Sequence, residues 1–141
     1  MPHVTKRDMT KWLIAAVALA VPQFTPAKAP AAESLHRELR IMATVGNEAR
    51  VYAHLRLTPG CGQGAIPKMT VIKPPSIGKL SSRVETVTMT DPNFGPCGAG
   101  ATATGRVVYY TADRPGTDAF VYRTSSPGLP SVTWSVNAEV R

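Results

Sequence analysis

Gly105-Arg-Val-Val-Tyr-Tyr-Thr-Ala-Asp-Arg-Pro-Gly-Thr-Asp-Ala-Phe-Val-Tyr122 is the stretch that decides the fold. Aromatic and β-branched residues fill both halves, and they fit a pleated, half-buried surface. Asp113-Arg-Pro-Gly116 divides the halves as a turn. The stretch reads as two strands around a turn, a hairpin. Val107 and Tyr109 share one parity of the first strand. Asp118, Phe120 and Tyr122 share one parity of the second, so their side chains leave the same face. Phe120 is expected in the core. Asp118 stands at the strand entrance, where a carboxylate accepts N–H groups of the preceding turn.

Working outward, the same alternation recurs. Leu35, Arg37, Leu39, Ile41 and Ala43 fall on one parity, with Arg37 interrupting the apolar face. Val51, Ala53, Leu55 and Leu57 alternate with Tyr52, His54 and Arg56. A turn at Gly46-Asn47 makes these two runs read as another hairpin. Lys68–Lys73 is a short strand stopped by Pro74-Pro75. Leu80–Met89 is a strand whose alternation slips between Val84 and Val87, the mark of a bulge or bend. Val132, Trp134, Val136, Ala138 and Val140 form the cleanest alternation of all. About seven strands and no helix indicate an all-β sandwich or barrel.

The N-terminus reads as an export signal. Lys6, Arg7 and Lys11 precede the uncharged apolar run Trp12–Val21. That run is far short of the about 20 residues a membrane span needs, and it has the length of a signal-peptide core. Cleavage after Ala31 suits the small residues Ala29 and Ala31, with Ala29 the second choice because Pro30 follows it. The expected organisation is a signal peptide over 1–31 and one domain over 32–141, with no stable membrane span after cleavage. That domain carries 12 Lys and Arg against 8 Asp and Glu, net +4. The basic residues are scattered, so nucleic acid is not an expected partner. A periplasmic or secreted location follows from the signal.

Cys61 and Cys97 are the only cysteines. In an oxidising compartment two cysteines usually pair. Two free thiols or a metal site are the alternatives, and a zinc site would want more ligands than these two supply.

The pattern Gly105-x-Val107-x-Tyr109 followed by Gly116-x-Asp118-x-Phe120-x-Tyr122 resembles the bacterial immunoglobulin-like (cadherin-like) domains of exported proteins. Lys73-Pro-Pro-Ser-Ile-Gly78-Lys-Leu80 and the closing strand from Val132 look like the corresponding segments of those domains. The resemblance covers about the last 70 residues and implies an immunoglobulin-like sandwich. It places Tyr122 at the tyrosine corner, whose hydroxyl bonds to nearby backbone. Thr124 stands where antibody domains carry a cysteine, so their inter-sheet disulfide is missing. Calcium, common at the junctions of such arrays, is not expected, because Asp91, Asp113 and Asp118 are isolated in sequence.

Chemistry is sparse. There is no Gly-x-Ser-x-Gly elbow. Gly60-Cys-Gly-Gln-Gly64 opens no helix and so lacks the amides of a phosphate loop. His36 and His54 sit on polar parities of neighbouring strands and read as solvated side chains without a third metal ligand. No catalytic, cofactor or metal residues are expected, and no enzyme. Tyr52, Tyr109, Tyr110, Tyr122 and Trp134 offer either a sugar-stacking platform or, as is more usual for strand aromatics, core and face cover; Tyr52 and Tyr110, on outward parities, are the surface-contact candidates. The expected function is an exported, non-enzymatic binding or adhesion-type module for an envelope or extracellular partner. An accessory envelope protein that binds cell-wall polymer is the alternative. So is a small periplasmic inhibitor of a lytic enzyme acting through the Asp91–Gly105 loop.

Overall fold

The computed structural model describes residues 25, 26, 34–90 and 95–141. The proposed cleavage sites, and the signal peptide apart from Thr25 and Pro26, lie outside them. Residues 91–94 of the Asp91–Gly105 loop do too. The chain divides into two units at Pro30/Ala31, and the fold below is that of the second.

Seven strands run in order: β1 (Leu35–Ala43), β2 (Glu48–His54), β3 (Lys68–Lys73), β4 (Gly78–Thr88), β5 (Thr102–Ala112), β6 (Gly116–Ser125) and β7 (Val132–Val140). A single 3-10 turn, Gly95–Cys97, lies between β4 and β5. One sheet has the order β1-β7-β6-β3 and the other β2-β5-β4. This is an immunoglobulin-like β-sandwich. All pairs are antiparallel except β1 with β7, which run parallel from Leu35↔Val132 to Ala43↔Val140.

Neither expected hairpin forms. β1 and β2 lie in different sheets, and so do β5 and β6. The true hairpins are β4–β5 and β6–β7. The short polar turns at Gly46-Asn47 and Asp113–Gly116 carry the chain from one sheet to the other. A short turn joins neighbouring strands equally well side by side or face to face. Here each strand's apolar face seeks the opposite sheet, and Tyr110 of β5 stacks on Phe120 of β6 with centroids 5.2 Å apart. Gly116 turns the chain into β6 with φ of +138°, a conformation that favours glycine.

Core and phase also differ from expectation in β5. Val108, Tyr110 and Ala112 point into the core, so Tyr110 is fully buried and is no surface residue. Val107-Val108-Tyr109-Tyr110 makes both parities equally apolar, and its phase is unreadable from pattern alone. Tyr109 lies on the other face, where its hydroxyl donates to Glu85 at 2.8 Å and its ring lies 3.9 Å from the Arg83 guanidinium. Arg83 in turn donates to Glu48 at 2.7 and 2.9 Å, spanning β4 to β2 across β5. In β4 the less exposed positions do change parity, from Leu80 and Ser82 to Glu85 and Val87. Its pairing with β5 nevertheless runs without a break from Gly78 to Thr88, so no bulge interrupts it.

Asp118 is buried at the end of the sandwich where chain crossings gather. Its carboxylate accepts from Ser76 N (2.9 Å), Ser76 Oγ (2.9 Å), Ile77 N (3.0 Å) and the Tyr110 hydroxyl (2.8 Å). The carboxylate does accept backbone N–H groups, but from the β3–β4 crossing and not from the turn before β6. Phe120 is buried in the core as expected.

At the opposite end Cys61 and Cys97 form a disulfide with Cα atoms 5.4 Å apart. It joins the β2–β3 connection to the 3-10 turn. Nearby, the Gln63 side-chain amide acts as a missing strand residue: it donates to Thr104 O at 2.8 Å and accepts from Thr104 N at 2.6 Å. Gly105 lets the same connection lie close, because a Cβ there would stand 2.7 Å from His54 O.

Closing a 36-residue separation by a disulfide stabilises the fold by about 3–4 kcal/mol on the chain-entropy account. Cys61→Ser, Cys97→Ser or the pair is therefore expected to lower the melting temperature by about 10–20 °C, read by circular dichroism. An unchanged midpoint in the oxidised protein would show that the bridge does not hold the loops.

Candidate functional site

β1 and β2 are edge strands of opposite sheets. Between them the sandwich stays open as a cleft of about 530 Å³, lined among others by Arg37, Leu39, Tyr52, His54, Arg56 and Trp134. A bulge in β2 creates this lining. Arg50 pairs with Tyr109 and Tyr52 with Val108, so Val51 is the extra residue between them. Val51 is buried, and beyond it the parity of the strand inverts. Tyr52 and His54, outward on a straight count, turn toward the opposite sheet.

There they meet an aromatic column. Tyr52 lies 4.9 Å from Trp134, and Trp134 lies 6.2 Å from Tyr122 at an interplanar angle of 12°. His54 fits edge-on against Trp134 at 4.8 Å and Tyr122 at 5.5 Å. The Trp134 indole N–H donates to Thr124 Oγ1 at 3.0 Å. Thr124 thus fixes the indole at the position where antibody domains carry a cysteine. His54 Nε2 and the Tyr122 hydroxyl share a hydrogen bond of 3.0 Å. Tyr122 accordingly is not bonded as a tyrosine corner; its partner is a side chain 68 residues upstream. The column runs from fully buried Tyr122 to Tyr52, which is 43% exposed.

Burial, aided by the Arg56 charge, pushes the His54 imidazole down to about 4. It is neutral at ordinary pH. Burial also pushes the Tyr122 hydroxyl up. His54 is therefore a buried floor residue and not a solvated side chain. His36 lies in the other sheet, where its ring bonds Ser135 Oγ at 3.1 Å. The two histidines do not come together. Among the described residues no three His, Cys, Asp or Glu side chains gather to hold a metal ion.

Of the two tyrosines named as contact candidates, only Tyr52 is accessible, at the mouth of the cleft. Sequence reasoning passed over Arg37 and Arg56. Arg37 pairs in register with Trp134, as Leu35 does with Val132 and Leu39 with Val136. Val132 and Val136 are buried, so Arg37 lies on the inward parity of an edge strand. The readable signal was its interruption of the Leu35–Ala43 apolar face. Arg56 shares the parity of Tyr52 and His54 on a straight count, and it is the bulge at Val51 that turns this parity toward the cleft. Among the described residues neither arginine forms a salt bridge.

No family model matches the chain, and no curated protein matches it. Among solved structures it is similar to one titled solution structure of amebosin, with 18% identity and a TM-score of 0.37. The likeness covers 77% of this chain and 99% of that one. Among the described residues no helix is long and apolar enough to cross a membrane.

The His54 value sets a pH dependence. The unfolded imidazole takes a proton near pH 6.5, while the folded one resists until about pH 4. Stability is therefore full above pH 6.5 and falls as the pH drops, by about 2 kcal/mol between pH 6.5 and 4.5. Urea midpoints across that window should show the loss, and His54→Gln should flatten it. An equal slope in the variant would assign the acid sensitivity elsewhere.

Proposed function

We propose that the chain is an exported, non-enzymatic binding module whose ligand enters the cleft between β1 and β2. The observation that carries this reading is the exposed end of the aromatic column at Tyr52, beside two arginines that form no salt bridge among the described residues. Ligand sites are mostly apolar and aromatic concavities with a few placed polar groups, and the cleft has that composition. Its volume lies within the about 300–1,000 Å³ usual for such sites. The disulfide agrees with folding in an oxidising compartment, and export supplies one.

The buried groups argue for binding without turnover. His54 is engaged with Tyr122, and Asp118 is spent on the crossings at the far end of the sandwich. The module reading assigns the envelope or the extracellular space as the source of the partner.

The test is retention. The tagged full chain, expressed in an exporting host and kept oxidised, is incubated with envelope extract and with purified cell wall. The expected result is specific retention that Tyr52→Ala reduces at least about fivefold, a loss of about 1 kcal/mol. Retention of nothing, or retention indifferent to Tyr52→Ala, would remove the cleft from the binding role.

A further inference from the structure

The cleft has a chemistry that selects among ligands. We infer that it takes a carboxylated saccharide, one acidic sugar unit of an anionic polysaccharide; this rests on the binding reading above.

Four features converge. First, Tyr52 leans on Trp134 and His54, at 4.9 and 5.0 Å, and remains 43% exposed. Its ring is held from one side and offered to solvent. An aromatic face is electron-rich and attracts the polarised C–H face of a pyranose ring. Second, Arg37 of β1 and Arg56, two residues beyond the end of β2, line the same cleft. A guanidinium matches a carboxylate in two parallel hydrogen bonds, and among the described residues neither arginine has such a salt bridge.

Third, among the described residues β1 pairs with β7 alone and β2 with β5 alone, so both strands have a free edge beside the cleft. Free backbone N–H and C=O groups along these edges suit a ligand rich in hydroxyls. A fatty acid would satisfy the arginines and the apolar wall but leave these polar groups covered and unpaired, which is costly. Fourth, the Val51 bulge breaks the regular spacing of the β2 edge. An added peptide strand needs that regularity, so the bulge disfavours a peptide. The cleft is open along its length between two strand edges, which admits a unit within a chain as well as a terminal sugar.

The chain has two tryptophans, Trp12 and Trp134. Trp12→Phe in the full chain makes the Trp134 indole the sole tryptophan reporter, and it sits in the cleft wall. Titration with tri-galacturonate is expected to change its emission with a dissociation constant below about 1 mM. The fully methyl-esterified trimer, which keeps the rings and loses the charges, is expected to bind at least about tenfold more weakly. Arg37→Ala/Arg56→Ala should weaken the acid form to the level of the ester, and Tyr52→Ala should weaken both forms. All three positions are at least partly exposed, and unchanged melting temperatures would confirm intact folds.

No emission change with tri-galacturonate, confirmed by unshifted backbone amide resonances of β1 and β2, would overturn the inference. So would equal binding of acid and ester. Tighter binding of dodecanoate or of an acidic peptide would assign the cleft to those ligands instead. If envelope retention still depends on Tyr52 while tri-galacturonate has no effect, the binding reading stands and the saccharide assignment falls. If both fail, the cleft is not a site.

Discussion

The Asp118 carboxylate is the constraint on which the rest of the sandwich depends. It is a charged group at 4% exposure in a small domain. Burial pushes its carboxyl up, yet the Ser76 and Ile77 N–H groups, the Tyr110 hydroxyl and the Ser76 hydroxyl outweigh that and hold it below its ordinary value. It therefore stays ionised and fully bonded. The bonds have topological consequences. Asp118 belongs to β6 in one sheet, Tyr110 to β5 in the other, and Ser76-Ile77 to the crossing between β3 and β4. One carboxylate thus fixes the separation of the sheets and the position of a crossing. The neighbouring bond from Asp113 N to Ile77 O, 2.8 Å, ties the β5–β6 crossing to the same point. An apolar residue at 118 would leave the Ile77 N–H and the Tyr110 hydroxyl buried without this partner, which costs more than the hydrogen bonds themselves contribute.

The two ends of the sandwich are held by different means. The Asp118 end uses a polar network that needs the sheets closely packed. The other end uses the disulfide and the Gln63 amide, which clamp loops and not sheets. Between the free edges of β1 and β2 near that second end the layers part, and the gap is filled by aromatic rings instead of aliphatic side chains. Rings with polar handles suit such a place, because one end packs and the other meets water. The candidate site is in this sense a consequence of the architecture: an unclosed edge whose lining was turned inward by one extra residue in β2.

Much of the fold was legible because strands with one apolar face betray themselves by alternation. Val132–Val140 and Gly116–Ser125 are close to their expected bounds, Phe120 is core, and the cysteines pair. What was illegible was pairing. The turns at Gly46-Asn47 and Asp113–Gly116 look the same whether they join neighbours or arch between sheets. Phase was also lost wherever two neighbours are alike, as at Val107-Val108 and Tyr109-Tyr110, and that cost the placement of Tyr110. The bulge at Val51 has no local sequence mark, so Tyr52, His54 and Arg56 were assigned to the wrong side. For the site, Arg37 left a visible trace as a break in an apolar face, and Tyr52 was legible as a contact residue but on a parity that the bulge reverses.

The measurement that bears most directly on this account is a double-mutant cycle between Tyr110→Phe and Asp118→Asn, read as unfolding free energies in urea. The account predicts that Asp118→Asn alone costs about 3 kcal/mol and that the two sites couple by about 1–2 kcal/mol, because the hydroxyl and the carboxylate share a buried bond between sheets. Additivity within about 0.5 kcal/mol, or a loss for Asp118→Asn no larger than that of an exposed residue, would contradict it.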